Sequence, residues 1–294
     1  MSQPAQPAQP AQAEQEPRPP KIRTGRNLPA AIGVGALLGG LVLVTLLTVK
    51  ATFLLYMGAA VLIALDELNK AFKHKGIDIP VVPVGLGTVA MLTCTYWLGY
   101  RGAMAAAGLT VVAICGYRLV KPTEGYVRDT SAGVFAAIYI AFLASFVSAM
   151  LAAPHDGHKR VLTFVILVIC VDIGGYFAGI TLGRGTRHPM APKISPKKTW
   201  EGFTGSATAC LIAGWLTVTL LLHGHWWQGL LLGAAVVVAA IAGDLVESSI
   251  KRDLDIKDMG SLLPGHGGIL DRIDSLLVTA PVAWVLLVAF IPHG

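Results

Sequence analysis

Long apolar runs alternate with short polar connections along most of the chain. Nine such runs stand out, at roughly 28–48, 51–70, 80–98, 103–118, 130–152, 160–182, 202–222, 226–249 and 273–291. A helix of about 20 residues crosses a hydrocarbon core roughly 30 Å thick. The runs are continuous rather than alternating, which argues against a membrane barrel. The first two are separated only around Lys50, and the fourth is short. The pattern predicts an all-α fold: a polytopic integral membrane helical bundle with about nine transmembrane helices.

Composition supports this and adds an orientation. The 294 residues are 54% hydrophobic and only 14% charged, so charge is scarce and its placement informative. Residues 1–27 carry a repeated Pro-Ala-Gln unit and then Arg18, Lys21, Arg23 and Arg26. With no apolar face to pack, this tail is expected to be disordered or polyproline-like. It is too long and proline-rich for the basic region of a signal peptide. With the N-terminus placed in the cytoplasm, 19 of the 23 Lys and Arg residues fall in cytoplasmic segments; Lys50, Arg101, Lys159 and Arg160 do not. This positive-inside asymmetry predicts a multi-pass protein of the cell (inner) membrane. It also accounts for the net charge of +6 without nucleic acid as a partner. The four cysteines lie in apolar runs with no C-x-x-C pair, so neither disulfide nor zinc is expected.

Some polar residues sit where a membrane tolerates them poorly. Asp172 lies inside the sixth run, followed by Tyr176, Gly179 and Gly183 at helical steps. It faces either a polar cavity or a neighbouring helix that hydrogen-bonds it. Asp244 lies in the eighth run, with Glu247, Ser248, Lys251 and Arg252 on the same helical face. Acid deep and base shallow suits a metal below and phosphates above; a ladder of ion pairs at a helix end is the plainer reading. Asp66 and Glu67 close the second run and read equally well as a solvated helix end or as part of a site.

Two charged loops fall on the predicted cytoplasmic side. In Gly183–Gly202, three prolines restrain a segment that ends in Ser195-Pro196-Lys197-Lys198-Thr199. Lysines beside a helix N-terminus suit phosphate oxygens. In Gly243–Ser275, Pro264-Gly265-His266-Gly267-Gly268 offers a backbone open to close approach by phosphate. Asp271 and Asp274 follow at i, i+3, a spacing able to hold a hard cation through oxygen or to complement the helix dipole. His266 reads as a phosphate donor or a turn residue rather than a base, because a phosphomonoester nucleophile is largely ionised at neutral pH.

These residues carry a resemblance. Ser248-x-x-Lys251-Arg252, Lys257-Asp258 and Leu263-Pro-Gly-His-Gly-Gly-Ile-x-Asp271-Arg272-Ile-Asp274 are similar to the motif of the membrane phosphatidate cytidylyltransferases, the CDP-diacylglycerol synthases. Asp172…Tyr176…Gly179 and Ser195-Pro-Lys-Lys-Thr-Trp-Glu-Gly resemble two further segments of that family. Gly183–Pro192 departs from it, with Gly-Arg-Gly-Thr-Arg-His in place of a Phe-Gly-Lys type run. The resemblance reaches from about residue 165 to the end, and the N-terminal half shares with the family its hydropathy and the Asp66-Glu67 segment. Residues 28–294 are expected to form one transmembrane catalytic domain, and the resemblance implies a protein that is often dimeric. It would transfer CMP from CTP to phosphatidic acid, with Mg²⁺ and room for a second cation. It implies metal ligation by Asp244, Asp271 and Asp274, oriented by Asp172, and phosphate neutralisation by Lys197, Lys198, Lys251, Arg252 and Arg272. Ser195, Thr199, Ser248, Lys257, Gly265, His266, Gly267 and Gly268 complete the expected substrate contacts. Two rivals remain at this level: a CTP-dependent lipid-alcohol kinase, and a cation or lipid transporter. The latter would be favoured by inverted repeats, of which the sequence gives no sign.

Overall fold

The computed structural model describes residues 28–182, 188–262 and 267–291. The tail at 1–27, expected to be disordered, lies outside them, as do Gly265 and His266. The elements are α1 (Leu28–Thr48), α2 (Lys50–Lys73), α3 (Val81–Leu119), α4 (Tyr126–Ala136) running through a π-helical turn (Ala137–Phe142) into α5 (Leu143–Leu151), and α6 (Gly157–Thr181). A hairpin of β1 (Pro189–Ala191) and β2 (Ser195–Thr199) follows, then α7 (Trp200–Leu220), α8 (Trp226–Asp253) and α9 (Leu270–Phe290). Among the described residues, seven helical stretches are long and apolar enough to cross a membrane: α2, α3, the α4–α5 unit, and α6 to α9. The protein is an all-α, multi-pass membrane protein.

The runs at 80–98 and 103–118 form one 39-residue element, α3, broken at Gly99. Gly99 has φ 65° and ψ −151°, a backbone essentially reserved for glycine. The two arms double back on each other. A Cβ on Gly87 would lie 2.3 Å from Thr110, although 23 residues of straight helix would span roughly 35 Å. Asp78 before α3 and Lys121 after it are ion-paired at 2.7 Å, which brings both ends of the element together.

The connections gather at two ends of the bundle. At one end Lys75 pairs with Asp255 at 2.6 Å, Arg118 with the buried Asp129 at 2.9 Å, and Arg252 Nε donates to the Ile194 carbonyl at 3.4 Å. The hydrogen bond and charge of Lys75 hold the Asp255 carboxyl below its ordinary range. At the other end Lys50 Nζ donates to the carbonyls of Ala153 and Pro154. Arg160, fully buried, pairs with Asp156 and donates to the carbonyls of Leu287 and Ile291 at the close of α9. Gln228 Nε2 donates to the Phe290 carbonyl there. Two of the four basic residues that broke the positive-inside count, Lys50 and Arg160, thus have backbone partners at the second end.

Glycines set how closely α6, α7 and α8 approach. A Cβ on Gly174 would lie 2.5 Å from the Gly205 carbonyl oxygen, and one on Gly214 would lie 2.3 Å from that of Gly229. Side chains there would force the helices apart. Gly179, a helical step from Asp172 and Tyr176, packs against no helix; nothing lies within 4 Å of a Cβ built there, and it opens on a cavity. All four cysteines are free.

Candidate active site

The Ser195–Thr199 segment is a β-strand, antiparallel to β1, with Pro189 opposite Thr199 and Ala191 opposite Ser195. Apolar periodicity does not announce this, because the strand is short and mostly polar. The strand delivers Thr199 to the N-cap of α7, where its hydroxyl accepts the Gly202 N–H at 3.1 Å. Capping fixes the residues just before it. Lys198 points to Asp244 on α8 and forms an ion pair with Oδ2. Lys197 is exposed and lines the adjacent cleft.

On α8 the helical offsets place Asp244, Glu247, Ser248 and Lys251 on one face, as the sequence predicts. The Ser248 hydroxyl lies 3.4 Å from Asp244 Oδ1. Lys251 bridges two acids, pairing with Glu247 one turn back and with Asp271 of α9 at 3.0 Å. The first turn of α9 is tightly specified. Asp271 accepts the Gly268 N–H at 2.7 Å and the Met259 N–H at 3.0 Å. Gly267, at φ 80°, abuts the same carboxylate. Asp274 is buried and accepts the Ser275 N–H at 2.7 Å.

Three cavities meet at Asp172. A polar cleft of about 490 Å³ is bounded by Asp172, Tyr176, Asp244, Glu247, Lys251, Asp258, Asp271, Arg272 and Asp274. A smaller one of about 230 Å³ runs from Asp172 and Asp244 past Tyr176, Gly179 and Phe203 to Lys197, Lys198 and Thr199. The third, about 680 Å³, is an apolar groove between α1, α2, α5, α6 and α9 whose polar terminus is Asp172, Arg272 and Ser275. A membrane-embedded Asp is thus placed on a polar cavity, one of the two alternatives the sequence left open.

Most of the expected residues converge here, and some do not. Arg252 and Lys257 are exposed and line none of the three cavities; Arg252 instead holds the β-hairpin turn through Ile194. Ser195 and Ser248 lie beside the cavities rather than on their walls. The Gly268 N–H is committed to Asp271. Among the described residues no three His, Cys, Asp or Glu side chains converge as a ready metal cage. Asp244 is held by Lys198, and Asp271 by Lys251 and two backbone donors. Glu247 was read only as one member of the α8 face. It is 1% exposed, lines the polar cleft, and its Oε1 has no hydrogen-bond partner. Its i+3 offset from Asp244 was the available signal. Asp66 and Glu67 part company: Asp66 pairs with Lys70 at the surface, whereas Glu67 is buried against the start of α9.

Known proteins share this arrangement of sequence. The profile of the cytidylyltransferase family matches residues 30–290. The phosphatidate cytidylyltransferase of Mycobacterium leprae (strain TN) is 41% identical over 281 residues, covering 90% of this chain and 89% of its own. That of Mycobacterium tuberculosis (strain ATCC 25618 / H37Rv) is 41% identical over 278 residues, covering 90% and 84%. That of Brucella suis biovar 1 is 35% identical over 185 residues, covering 63% and 66%. A match that runs through every membrane helix, including those that build the clefts around Asp172, settles the classification: the chain belongs to the cytidylyltransferase family.

Proposed function

We propose that the protein is a phosphatidate cytidylyltransferase, transferring CMP from CTP to phosphatidic acid to give CDP-diacylglycerol and pyrophosphate. The observation that carries this reading is the junction at Asp172. There an apolar groove suited to acyl chains meets two polar clefts lined by lysine, arginine and carboxylates. Relatives bearing the name phosphatidate cytidylyltransferase, aligned over nine-tenths of the chain, support the same substrates.

The reaction joins one oxygen of the lipid phosphate to the α-phosphorus of CTP and breaks that phosphorus's bond to the bridging oxygen of the β-phosphate. Pyrophosphate leaves with the electron pair. The lipid phosphate is largely ionised at neutral pH and needs no base. The chain's task is therefore to align and to neutralise. Arg272 stands at the mouth of the groove, where a lipid phosphate would lie. Lys197 and Lys198 face the neighbouring cleft, where they would meet the nucleotide phosphates. Lys251 holds Glu247 and Asp271 in place and lines the polar cleft beside them.

The polar cleft fits a hard divalent cation. Six carboxylates line it against Lys251 and Arg272, and the buried Oε1 of Glu247 has no partner. Such an excess of oxygen donors suits Mg²⁺. Asp244, Asp271 and Asp274 would hold it, with Glu247 beside them. When bound, the cation would neutralise phosphate charge during transfer.

In this reading the α3 hairpin supplies two crossings and α1 one, giving nine in all. The end that gathers Lys75, Lys121 and the β-hairpin faces the cytoplasm, where CTP is found. Acceptor choice tests the assignment. Purified protein with CTP and Mg²⁺ should consume CTP with phosphatidic acid and not with diacylglycerol or a polyprenol. Turnover with the alcohols alone would instead point to a lipid kinase.

A further inference from the structure

We propose that Glu67, on α2 and far in sequence from the motif residues, is a positioning residue for the carboxylates of α9. The inference rests on the activity proposed above. α9 begins without a side-chain cap of its own; its N-cap residue is Ile269. Glu67 supplies the cap from another helix. Its Oε1 accepts the Ile269 N–H at 3.0 Å and its Oε2 the Leu270 N–H at 2.8 Å. Glu67 is only 5% exposed. A carboxylate that accepts two N–H groups at a helix N-terminus makes charge-assisted bonds along the favourable direction of the helix dipole.

The surrounding backbone is shaped to hold this carboxylate. A Cβ on Gly260 would come within 2.4 Å of Glu67 Oε1, and one on Gly268 within 2.4 Å of Oε2. Gly260 follows Met259, and the N–H groups of Met259 and Gly268 are the two that bind Asp271. Both pieces of backbone that grip Asp271 are therefore wrapped around Glu67. Moving Glu67 shifts the start of α9 and both donors together, and with them Asp271 and Asp274. Its neighbour Asp66 has no such contact and pairs with Lys70 at the surface. Glu67 touches neither cleft and acts only through α9.

The test uses Glu67→Gln, Glu67→Asp, Glu67→Ala, Gly268→Ala and the Glu67→Ala/Gly268→Ala pair in the full chain. Glu67→Gln keeps the volume but replaces one acceptor with a donor. We expect its kcat to fall roughly tenfold per folded molecule, the size of one lost hydrogen bond, with the KM for CTP and for phosphatidic acid within about twofold. Glu67→Asp should recover part of the loss. Gly268→Ala should reproduce it, and the double variant should be no worse than Glu67→Ala, because both changes break one contact. A purely structural role would lower the folded fraction and leave kcat per folded molecule unchanged. Hydrogen exchange reads the cap without any activity. The Ile269 and Leu270 amides should exchange roughly tenfold faster in Glu67→Ala than in the unaltered chain, while the amides around Leu287 are unchanged. Should Glu67→Gln fail to fold, Glu67→Asp and Gly268→Ala carry the same comparison. A kcat within twofold of the unaltered chain, or unchanged exchange at those two amides, overturns the inference. Failure of the unaltered chain to form CDP-diacylglycerol overturns the activity instead and leaves the exchange result to judge the cap.

Discussion

The two ends of the bundle hold charge in opposite ways. At the end away from the clefts, Arg160 and Lys50 are tied to backbone carbonyls, and Arg160 closes α9 from α6. These cations meet backbone carbonyls at or just past helix ends, where intrahelical donors run out. In the polar cleft at the other end, six carboxylates face Lys251 and Arg272, and the bases that reach the acids are shared. Lys251 serves both Glu247 and Asp271, Lys198 serves Asp244, and Glu247 keeps one oxygen unpaired. A buried charge with complete partners is structural. A buried excess of one sign, next to cavities, is a site prepared for ligands that complete it.

Substitutions at each end should therefore separate activity from stability. Asp271→Asn at the cleft should lower turnover by roughly 10²- to 10³-fold, in line with removing a preorganised charge from an active site. The amide keeps one oxygen for the Gly268 and Met259 N–H groups but loses the ion pair with Lys251, so the melting temperature in detergent should fall by a few degrees, far less than the loss of turnover; turnover near that of the unaltered chain would remove Asp271 from the machinery. Arg160→Met at the far end should do the reverse. It removes the ion pair with Asp156 and takes the Arg160 donor from the Ile291 carbonyl, while the Leu287 carbonyl keeps the Ile291 N–H; it should destabilise by about 1–3 kcal/mol. Activity per folded molecule should hold, and a loss of kcat there would show that the two ends are not separable. Lys197→Ala, exposed on the small cleft, should raise the KM for CTP about fivefold, the scale of one exposed charged contact. Unchanged KM and kcat would deny it a phosphate. Lys75→Ala breaks only the exposed pair with Asp255. Because the Asp255 carboxyl is held low, the pair favours the fold at neutral pH, and that contribution fades as pH falls through the carboxylate range. Solvent screening should keep the change too small to register in a melt at either pH.

Much of this architecture was legible in the sequence, for physical reasons. Hydropathy marked each helical run because lipid demands continuous apolar length. Among the described residues, most of the basic ones lie on the end that carries the clefts, as Lys75, Lys121, Lys198 and Lys251 do. The offsets from Asp244 placed Glu247 and Lys251 on one face because a helix has a fixed period. What stayed hidden depends on contacts between distant segments. Gly99 as the break in α3 looks like any other membrane glycine until the arms fold back on Gly87 and Thr110. The β-hairpin at Ser195–Thr199 is held by cross-strand pairing that a polar pentapeptide does not announce. Arg252 matched the motif, yet it grips Ile194 instead of lining a cleft, a direction the spacing cannot give. Glu67 could be read as a solvated helix end because its partners lie about 200 residues away, at the start of α9.

The central claim is that a lipid phosphate at the Asp172 junction attacks the α-phosphorus of CTP. The direct measurement follows the label from CTP carrying ³²P at either the α or the γ position, incubated with phosphatidic acid, Mg²⁺ and the purified protein. The account predicts that α-label enters the lipid fraction as CDP-diacylglycerol while γ-label appears in pyrophosphate. Transfer of γ-label to lipid, with CDP released, would contradict it.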